Sequence, residues 1–264
     1  MLLMFIGFSL CGLILLAFIG MMAGREDLLA KFVGHSLAMI RIEGPIFDAE
    51  DTVDQIRKYA RNPRISGIIL RIDSPGGTVG ASQEIYSAIL NAREVKPVYA
   101  TMGNTAASGG YYIAAAANRI YANPGTVTGS IGVIFELTNL QELVDKIGIN
   151  FEVVKSGKYK DIGSPMRPLE PQEKLILQGL INDTYEQFIE AIMATRKDAL
   201  TVAQKNANTA SDGFWQNILV DDPFTPPANA ESLLRRIADG RLYSGRQALR
   251  LGLVDAVGSE GDCI

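Results

Sequence analysis

The stretch Ile68-Ile69-Leu70-Arg71-Ile72-Asp73-Ser74-Pro75-Gly76-Gly77 decides the fold of this chain. A short aliphatic run followed at once by a proline and two glycines is typical of a buried strand that ends in a tight turn. Open α/β sheets bind their ligands at the carboxyl ends of such strands. The segment from Asp73 to Gly77 is therefore both a candidate turn and a candidate part of a functional site.

Strand patterns and helix patterns alternate on both sides of this stretch. β-Branched or aliphatic runs predict strands, and apolar residues at helical spacing predict the helices between them. This alternation predicts an α/β domain with a mostly parallel sheet and flanking helices. The predicted strands are 36–42, 67–72, 97–101, 119–122 and 151–154, and the predicted helices are 49–61, 80–93, 106–117 and 140–147.

The second half of the chain holds one long helical pattern and then an irregular segment. A proline-containing turn at 168–171 precedes a run, from Gln172 to about Leu200, in which apolar residues recur every three or four positions. From residue 206 to residue 230 the composition changes to Asn, Asp, Pro and Gly around the single Trp215. Such a composition predicts a loop insertion on the surface.

The first 24 residues contain no charged side chain. As a helix they would extend about 36 Å, enough to cross a hydrocarbon layer of about 30 Å. We therefore predict a single transmembrane anchor at 1–24, a linker at 25–35 and a globular domain at 36–264. A cleaved signal peptide is the alternative, but a basic amino-terminal region and a small-residue cleavage site are missing. Arg25 and Lys31 follow the segment, which by charge alone favours a cytoplasmic domain.

Charge and residue types exclude several classes of function. The formal net charge is −4, without a run of Lys and Arg, so nucleic-acid binding has no electrostatic support. Cys11 and Cys263 are too few for a disulfide framework, and no His, Cys or carboxylate cluster has metal-ligand spacing. The single His35 precedes the first predicted strand and has no converging partners. A hydrolase built from this chain must therefore use a base other than histidine.

A second glycine-rich segment, Asn104-Thr105-Ala106-Ala107-Ser108-Gly109-Gly110-Tyr111-Tyr112, joins a predicted strand to a predicted helix. A serine flanked by small residues at such a joint can expose its hydroxyl, and the N–H groups at a helix start favour a developing negative charge. The glycine pair that ends the opening stretch could bring further N–H groups to a substrate carbonyl. Each segment taken alone also fits an ordinary turn or helix cap.

A third segment, Lys155-Ser156-Gly157-Lys158-Tyr159-Lys160-Asp161, offers three lysines. A lysine acts as a base only when it is neutral, so its pKa must fall from about 10.4 towards roughly 7 or 8 through burial and neighbouring donors. The segment Gly125-Thr126-Val127-Thr128-Gly129-Ser130-Ile131-Gly132 supplies hydroxyls that could orient a buried amine. The alternatives are solvated surface lysines and an ordinary glycine-rich turn.

Taken together, the D-S-P-G-G, A-A-S-G-G-Y-Y, T-G-S-I-G and K-x-x-D-I-x-S-P stretches closely resemble the signal peptide peptidase A family of Ser-Lys serine peptidases. The resemblance covers about 38–203 and 237–258. It implies a Clp protease/crotonase-like fold for the domain at 36–264. Two features depart from the family pattern: the segment 206–230 is longer than expected, and relatives usually continue beyond the Gly-Leu-Val-Asp motif near the end of this sequence.

The resemblance also implies roles for individual residues. Ser108 corresponds to the nucleophile, and Lys160, rather than its two neighbouring lysines, corresponds to the general base. Ser130 corresponds to the residue that hydrogen-bonds and orients the lysine amine. No metal or organic cofactor is implied. The oxyanion hole is expected from the backbone of glycines at the two glycine-rich turns, namely Gly76, Gly77 and Gly109.

A cellular role follows from the same resemblance. It implies a single-pass protein of the bacterial inner membrane, with an extracytoplasmic domain, against the weak charge argument above. The implied substrates are remnant signal peptides and other unfolded apolar peptides. Members of this size resemble homo-oligomeric rings in which the serine and lysine of neighbouring subunits lie close or are shared. The sequence leaves open whether Lys160 acts within its own subunit.

The sequence fits several other classes of protein less well. An inactive membrane-anchored scaffold with this fold does not explain the joint presence of Ser108, Ser130 and Lys160. A crotonase-type hydratase lacks catalytic carboxylates after the glycine turns. A soluble Clp-type peptidase needs a complete triad, for which His35 is misplaced, and leader-peptidase-type Ser-Lys enzymes are mostly β proteins.

Overall fold

The structure is a computed structural model that describes residues 36–209, 213–219 and 225–263. The predicted anchor at 1–24, the linker at 25–35 and His35 lie outside these residues, so the anchor and the linker stay predictions. Within the described part of the chain, no helix combines the length and the apolar character that a membrane span needs.

A seven-stranded sheet forms the centre of the molecule, in the order β1-β2-β3-β4-β7, with β5 pairing with β3 and with β6. All pairs are parallel except β5 with β6. The predicted α/β class with a mostly parallel sheet is therefore confirmed. The strands are β1 (Ser36–Glu43), β2 (Ile65–Ser74), β3 (Val98–Ala107), β4 (Arg119–Ala122), β5 (Val127–Gly129), β6 (Leu242–Ser244) and β7 (Ala256–Val257).

Nine helices are found within the described ranges, and most of them connect or cover the strands. A helix between two parallel strands is the usual crossover connection of such a sheet. The helices are α1 (Glu50–Arg61), α2 (Val79–Arg93), α3 (Gly109–Ala115), α4 (Gln141–Lys146), α5 (Pro171–Thr209), α6 (Phe214–Leu219), α7 (Ala230–Ile237), α8 (Gly245–Arg250) and α9 (Glu260–Cys263).

The opening stretch forms the buried middle of the sheet. β2 lies between β1 and β3, and the side chains of Ile68, Leu70 and Ile72 are buried. A parallel strand that is covered on both faces has apolar residues at nearly every position, which is why this segment is so aliphatic. The glycine turn that follows β2 is therefore held at the carboxyl edge of the sheet, as its sequence predicts.

The predicted strand at 151–154 is wrong. This segment has no regular secondary structure, and its side chains are exposed, with Val154 at 96%. Its alternating apolar residues resemble a strand, but no described strand pairs with it. Without a partner strand its backbone gains no ladder hydrogen bonds, so β propensity alone does not produce a strand.

The predicted loop insertion at 206–230 also needs correction. Helix α5 continues to Thr209 instead of ending near Leu200, and α6 lies inside the segment. Trp215 is 2% exposed and packs edge-on against Phe214. Burial of apolar side chains outweighs a composition that favours turns, because helix propensity is a weak preference that tertiary packing overrides. Ala203 and Ala207 are buried as well.

Candidate active site

Ser108 lies where β3 turns into α3, and its backbone conformation is unusual. Its φ is 52° and its ψ is −121°. Among the described residues only Ser108 and Ser130 are non-glycine residues with positive φ. Such a conformation costs of order 1–3 kcal/mol and persists where the surrounding contacts hold it. Here the Ser108 N–H donates to the Gly129 carbonyl, and its carbonyl accepts from the Tyr112 N–H, both at 2.9 Å.

The glycine turn after β2 lies directly against this serine. A Cβ built on Gly76, whose φ is +101°, would lie 2.6 Å from the Gly109 nitrogen and 2.8 Å from Ser108 Cβ. No side chain fits in that space. The turn is fixed from its other side, because Ile46 donates to the Gly76 carbonyl at 2.9 Å and accepts from Thr78 N–H at 2.8 Å.

Two backbone N–H groups beside Ser108 are available for a ligand. The Gly77 nitrogen lies 3.2 Å from the position that a Cβ on Gly109 would take, so these two glycines are adjacent. Neither the Gly77 nor the Gly109 N–H donates to an acceptor within the described residues. Paired unbonded N–H groups beside a hydroxyl are the arrangement that an oxyanion hole requires.

Ser130 is brought next to Ser108 by strand pairing. In the β3–β5 ladder Ala106 is paired with Thr128 and Ala107 with Gly129, so the two serines follow matched positions at the ends of neighbouring strands. Thr128 secures this register, because its hydroxyl donates to the Ala106 carbonyl at 2.6 Å. The backbone thus places Ser130 at the strand end next to that of the candidate nucleophile.

Lys160 is not brought to these serines. It lies in a turn in which its N–H donates to the Gly157 carbonyl at 3.1 Å, and its side chain is exposed. Its two neighbouring lysines have partners: Lys155 pairs with Asp161, and the Lys158 amine lies 5.1 Å from the centre of a tyrosine ring. Within the described part of the chain the Lys160 amine has no hydrogen bond or ion pair. It is the one amine of the three that is left for another role.

Lys160 lies in a segment that exposes many large apolar side chains. We call residues 133–180 the arm, because this segment leaves the sheet after β5 and returns only with the buried middle of α5. Val154 and Ile134 are 96% and 86% exposed, respectively. Soluble monomers rarely expose so many large apolar side chains on one segment. The others exposed by more than half are Phe135, Leu143, Ile147, Phe151, Val153, Leu175 and Leu180.

A small cavity of about 30 Å³ opens beside Ser108. Its walls include one glycine of each turn, Gly77 and Gly109, together with Tyr112, Val133 and Phe188. The rings of Tyr112 and Phe188 pack with their centroids 4.8 Å apart, so α3 and α5 close one side of the cavity. A narrow, largely apolar cavity next to a serine hydroxyl suits a small apolar side chain of a peptide.

Sequence comparison assigns the family. The sequence model of peptidase family S49 matches residues 91–222, a segment that contains Ser108, Ser130 and Lys160. The model of Clp protease matches residues 35–126. A protein of Synechocystis that is named as a protease is 40% identical over 227 residues, which cover 86% of this chain and 71% of that protein. This chain belongs to peptidase family S49. It is a serine-type peptidase with a Clp protease-like domain, which confirms the predicted family and class of enzyme.

Two further relatives of this S49 peptidase carry more specific names. The chloroplastic serine protease SPPA of Arabidopsis thaliana is 33% identical over 91% of this chain, and a signal peptide peptidase SppA of Enterococcus faecium is 30% identical over 83% of it. The chain spans only 32% and 55% of the lengths of these two proteins.

Sequence reasoning missed one residue that shapes this candidate site. The sequence places Asp73 at the start of the glycine turn and predicts no separate role for it. Its two carboxylate oxygens accept from the Thr105 N–H at 3.1 Å and from the Asn104 side chain at 2.9 Å. These contacts hold a bulge in β3, where the pairing jumps from Ile72–Met102 to Ser74–Ala106. An acidic residue at a strand end beside a candidate site is the signal that could have revealed it.

Helix α3 of the S49 peptidase is anchored at its base by a buried tyrosine. The hydroxyl of Tyr111 donates to the Leu253 carbonyl at 3.0 Å. Burial raises the pKa of Tyr111, so the phenol stays a neutral donor over the physiological range. This bond ties the helix that follows the candidate nucleophile to the segment before β7.

The described residues contain no group of three or more His, Cys, Asp or Glu side chains that could hold a metal ion.

Proposed function

We propose that this peptidase is a membrane-anchored endopeptidase in which Ser108 attacks the peptide carbonyl and Lys160 acts as general base. The observation that carries the proposal is the positive-φ turn of Ser108 beside the unbonded N–H groups of Gly77 and Gly109. A serine on a sharp strand-to-helix turn, with two donors next to it, has the layout of an acyl-transfer site.

The chemistry follows from this layout. A neutral Lys160 would take the proton of the Ser108 hydroxyl as its oxygen attacks the carbonyl. The N–H groups of Gly77 and Gly109 would stabilise the resulting oxyanion, while Gly76 lets the turn approach. The lysine would pass the proton to the leaving amine, and water would then hydrolyse the acyl-enzyme. Ser130 would orient the lysine amine by a hydrogen bond.

Self-assembly would complete the site. Lys160 lies on the arm, whose apolar side chains are exposed in the single chain. We propose that a second copy covers the arm and carries Lys160 to a Ser108, either in its own subunit or in a neighbour. A closed ring is the assembly that such a repeated head-to-tail contact forms when its rotation closes.

The substrates that fit this site are unfolded apolar peptides. The narrow apolar cavity beside Ser108 accepts a small side chain, and the predicted anchor at 1–24 would place the enzyme at a membrane. Remnant signal peptides combine both properties. We therefore propose that the enzyme degrades them at the bacterial inner membrane, with its domain on the extracytoplasmic side.

The dyad is tested with three single variants and an apolar fluorogenic peptide. We expect Ser108→Ala and Lys160→Ala each to abolish hydrolysis, because one removes the nucleophile and the other removes its base. Lys158→Ala is the matched control and should retain most of the rate, since this lysine lies in the same turn without a proposed role. Full activity of the Lys160→Ala enzyme would show that another group is the base.

A further inference from the structure

A cluster of ionic contacts follows Lys160 directly in the chain. Arg167 donates to both carboxylate oxygens of Asp161, at 3.0 Å each, and to the Asp161 carbonyl at 3.2 Å. The same guanidinium donates to Glu173 Oε2 at 2.7 Å and to Oε1 at 2.5 Å. Lys155 adds a contact of 2.5 Å to Asp161 Oδ1. The turn that carries Lys160 is therefore bound to the start of α5.

This cluster is more enclosed than an ordinary surface ion pair. The side chain of Glu173 is 2% exposed, that of Asp161 is 14% exposed and that of Arg167 is 27% exposed. A planar guanidinium that forks to two carboxylates fixes geometry better than a single lysine contact does. Arg167 thus provides a rigid link on an otherwise exposed arm.

Helix α5 connects this link to the nucleophile. Its buried middle contains Phe188, which packs against Tyr112 of α3, the helix that begins immediately after Ser108. Contacts consequently run without interruption from the serine helix, through α5, to the residue that follows Lys160.

The cluster also occupies the carboxylate that is nearest to Lys160 in the sequence. Asp161 Oδ1 accepts from both Arg167 and Lys155, and Oδ2 accepts from Arg167. Arg167, with Lys155, holds the pKa of Asp161 well below its usual range, so this carboxylate stays ionised at any pH at which Lys160 could act as a base. An unpaired carboxylate within about 4–6 Å of an amine would instead favour the ammonium form.

We propose, on the basis of the Ser-Lys mechanism proposed above, that Arg167 is the positioning residue of Lys160. It fixes the lysine turn on α5, and it keeps the Asp161 carboxylate from pairing with the lysine amine. The charged groups of the segments that meet here are Lys155, Lys158 and Asp161 in the turn, Arg167 and Glu170 before α5, and Glu173 and Lys174 in its first turn.

The first test is the Arg167→Met enzyme in the full chain, assayed over a range of pH. We expect kcat to fall roughly ten- to a hundredfold with little change in KM, because the base is misplaced while the substrate cavity is intact. We also expect the acid limb of the curve of kcat against pH to move to higher pH, because the released Asp161 carboxylate stabilises the Lys160 ammonium. A purely structural loosening would lower the rate by the same factor at every pH.

A double variant and a matched control separate the two effects. Adding Asp161→Asn to Arg167→Met should return the acid limb to its original pH while kcat stays low. Arg235 is the control, because it bridges Glu186 of α5 and Glu231 in the same two-carboxylate manner, away from the lysine turn. Arg235→Met should leave both kcat and the acid limb unchanged.

The outcomes distinguish this proposal from the dyad itself. Suppose that the Arg167→Met enzyme keeps the wild-type kcat and an unmoved acid limb, while Lys160→Ala is inactive. This result would overturn the positioning role of Arg167 and leave the proposed function standing. Full activity of Lys160→Ala would overturn both. If Arg167→Met does not fold, Arg167→Gln serves instead, because it also removes the charged fork. A lower kcat with the acid limb moved to higher pH supports the proposal, and unchanged kcat with an unmoved acid limb contradicts it.

Discussion

Among the described serines, Ser108 shares a positive φ only with Ser130. Many serines precede helices and serve only as caps, and the sequence around Ser108 fits that use as well. The positive φ of this residue and the unbonded N–H groups beside it are what make the turn suited to chemistry. Those features arise from the approach of a second turn, which no local pattern displays.

A substitution at Gly76 tests the close approach of the two turns. A methyl group there would collide with the Gly109 nitrogen, and the φ of +101° disfavours any L side chain. We expect Gly76→Ala to lower kcat about a hundredfold or more by displacing an oxyanion donor. Gly80→Ala is the control, because a Cβ there meets no atom within 4 Å. A folded Gly76→Ala enzyme with normal kcat would argue against the proposed oxyanion hole.

At the scale of elements, the bulge in β3 sets where the serine turn begins. Asp73 holds the bulge from one side, and Thr126 does so from another by donating its hydroxyl to the Gly103 carbonyl at 2.6 Å. Without the bulge, β3 would stay in step with β2 and its last residues would shift along the sheet. The position of Ser108 therefore depends on a residue of the neighbouring strand.

Asp73→Asn tests this dependence. The new amide NH2 group would face either the Asn104 NH2 group or the Thr105 N–H, so one of the two hydrogen bonds would be lost. We therefore expect the free energy of unfolding to fall by about 1–2 kcal/mol and kcat to be lower. Asp54→Asn is the control, since Asp54 makes only an exposed pair with Arg57. Denaturant unfolding and peptide hydrolysis measure the two effects. Equal behaviour of the two variants would remove the role assigned to Asp73.

The accuracy of the sequence predictions depended on how far each element relies on distant contacts. β2 and the glycine turns were predicted correctly because aliphatic runs and glycine pairs determine local backbone structure. The strand predicted at 151–154 was wrong, since strand formation needs a partner. Trp215 was assigned to a loop from its polar neighbours, although burial of the indole decides its place. The pairing of Lys160 with a serine stays a prediction, because within the described residues no contact joins the lysine amine to Ser108 or Ser130.

At the scale of the whole molecule, the arm is the surface whose large apolar side chains stay exposed to solvent in a single chain. We expect the full chain to form oligomers in size-exclusion chromatography with light scattering. The double variant Val154→Asp/Ile134→Asp should dissociate these oligomers and abolish activity, because burying a charge in an apolar contact is costly. Val95→Asp, at an apolar residue outside the arm that is 66% exposed, should change neither. A monomeric, fully active parent enzyme would contradict the proposed assembly.

A mixture of Ser108→Ala and Lys160→Ala chains shows whether the dyad is shared. If Lys160 serves the serine of a neighbour, mixed oligomers regain part of the activity. If each subunit uses its own pair, the mixture stays inactive.

The bond between Tyr111 and Leu253 also affects the order of events during synthesis. The helix after the nucleophile is not anchored, and β4 does not receive its neighbour β7, until residues 253–257 have left the ribosome. Domains usually fold as units while the chain emerges from the amino terminus. The site around Ser108 would therefore reach its final packing only after residues 253–257 have been translated, and shorter nascent chains would lack the complete site.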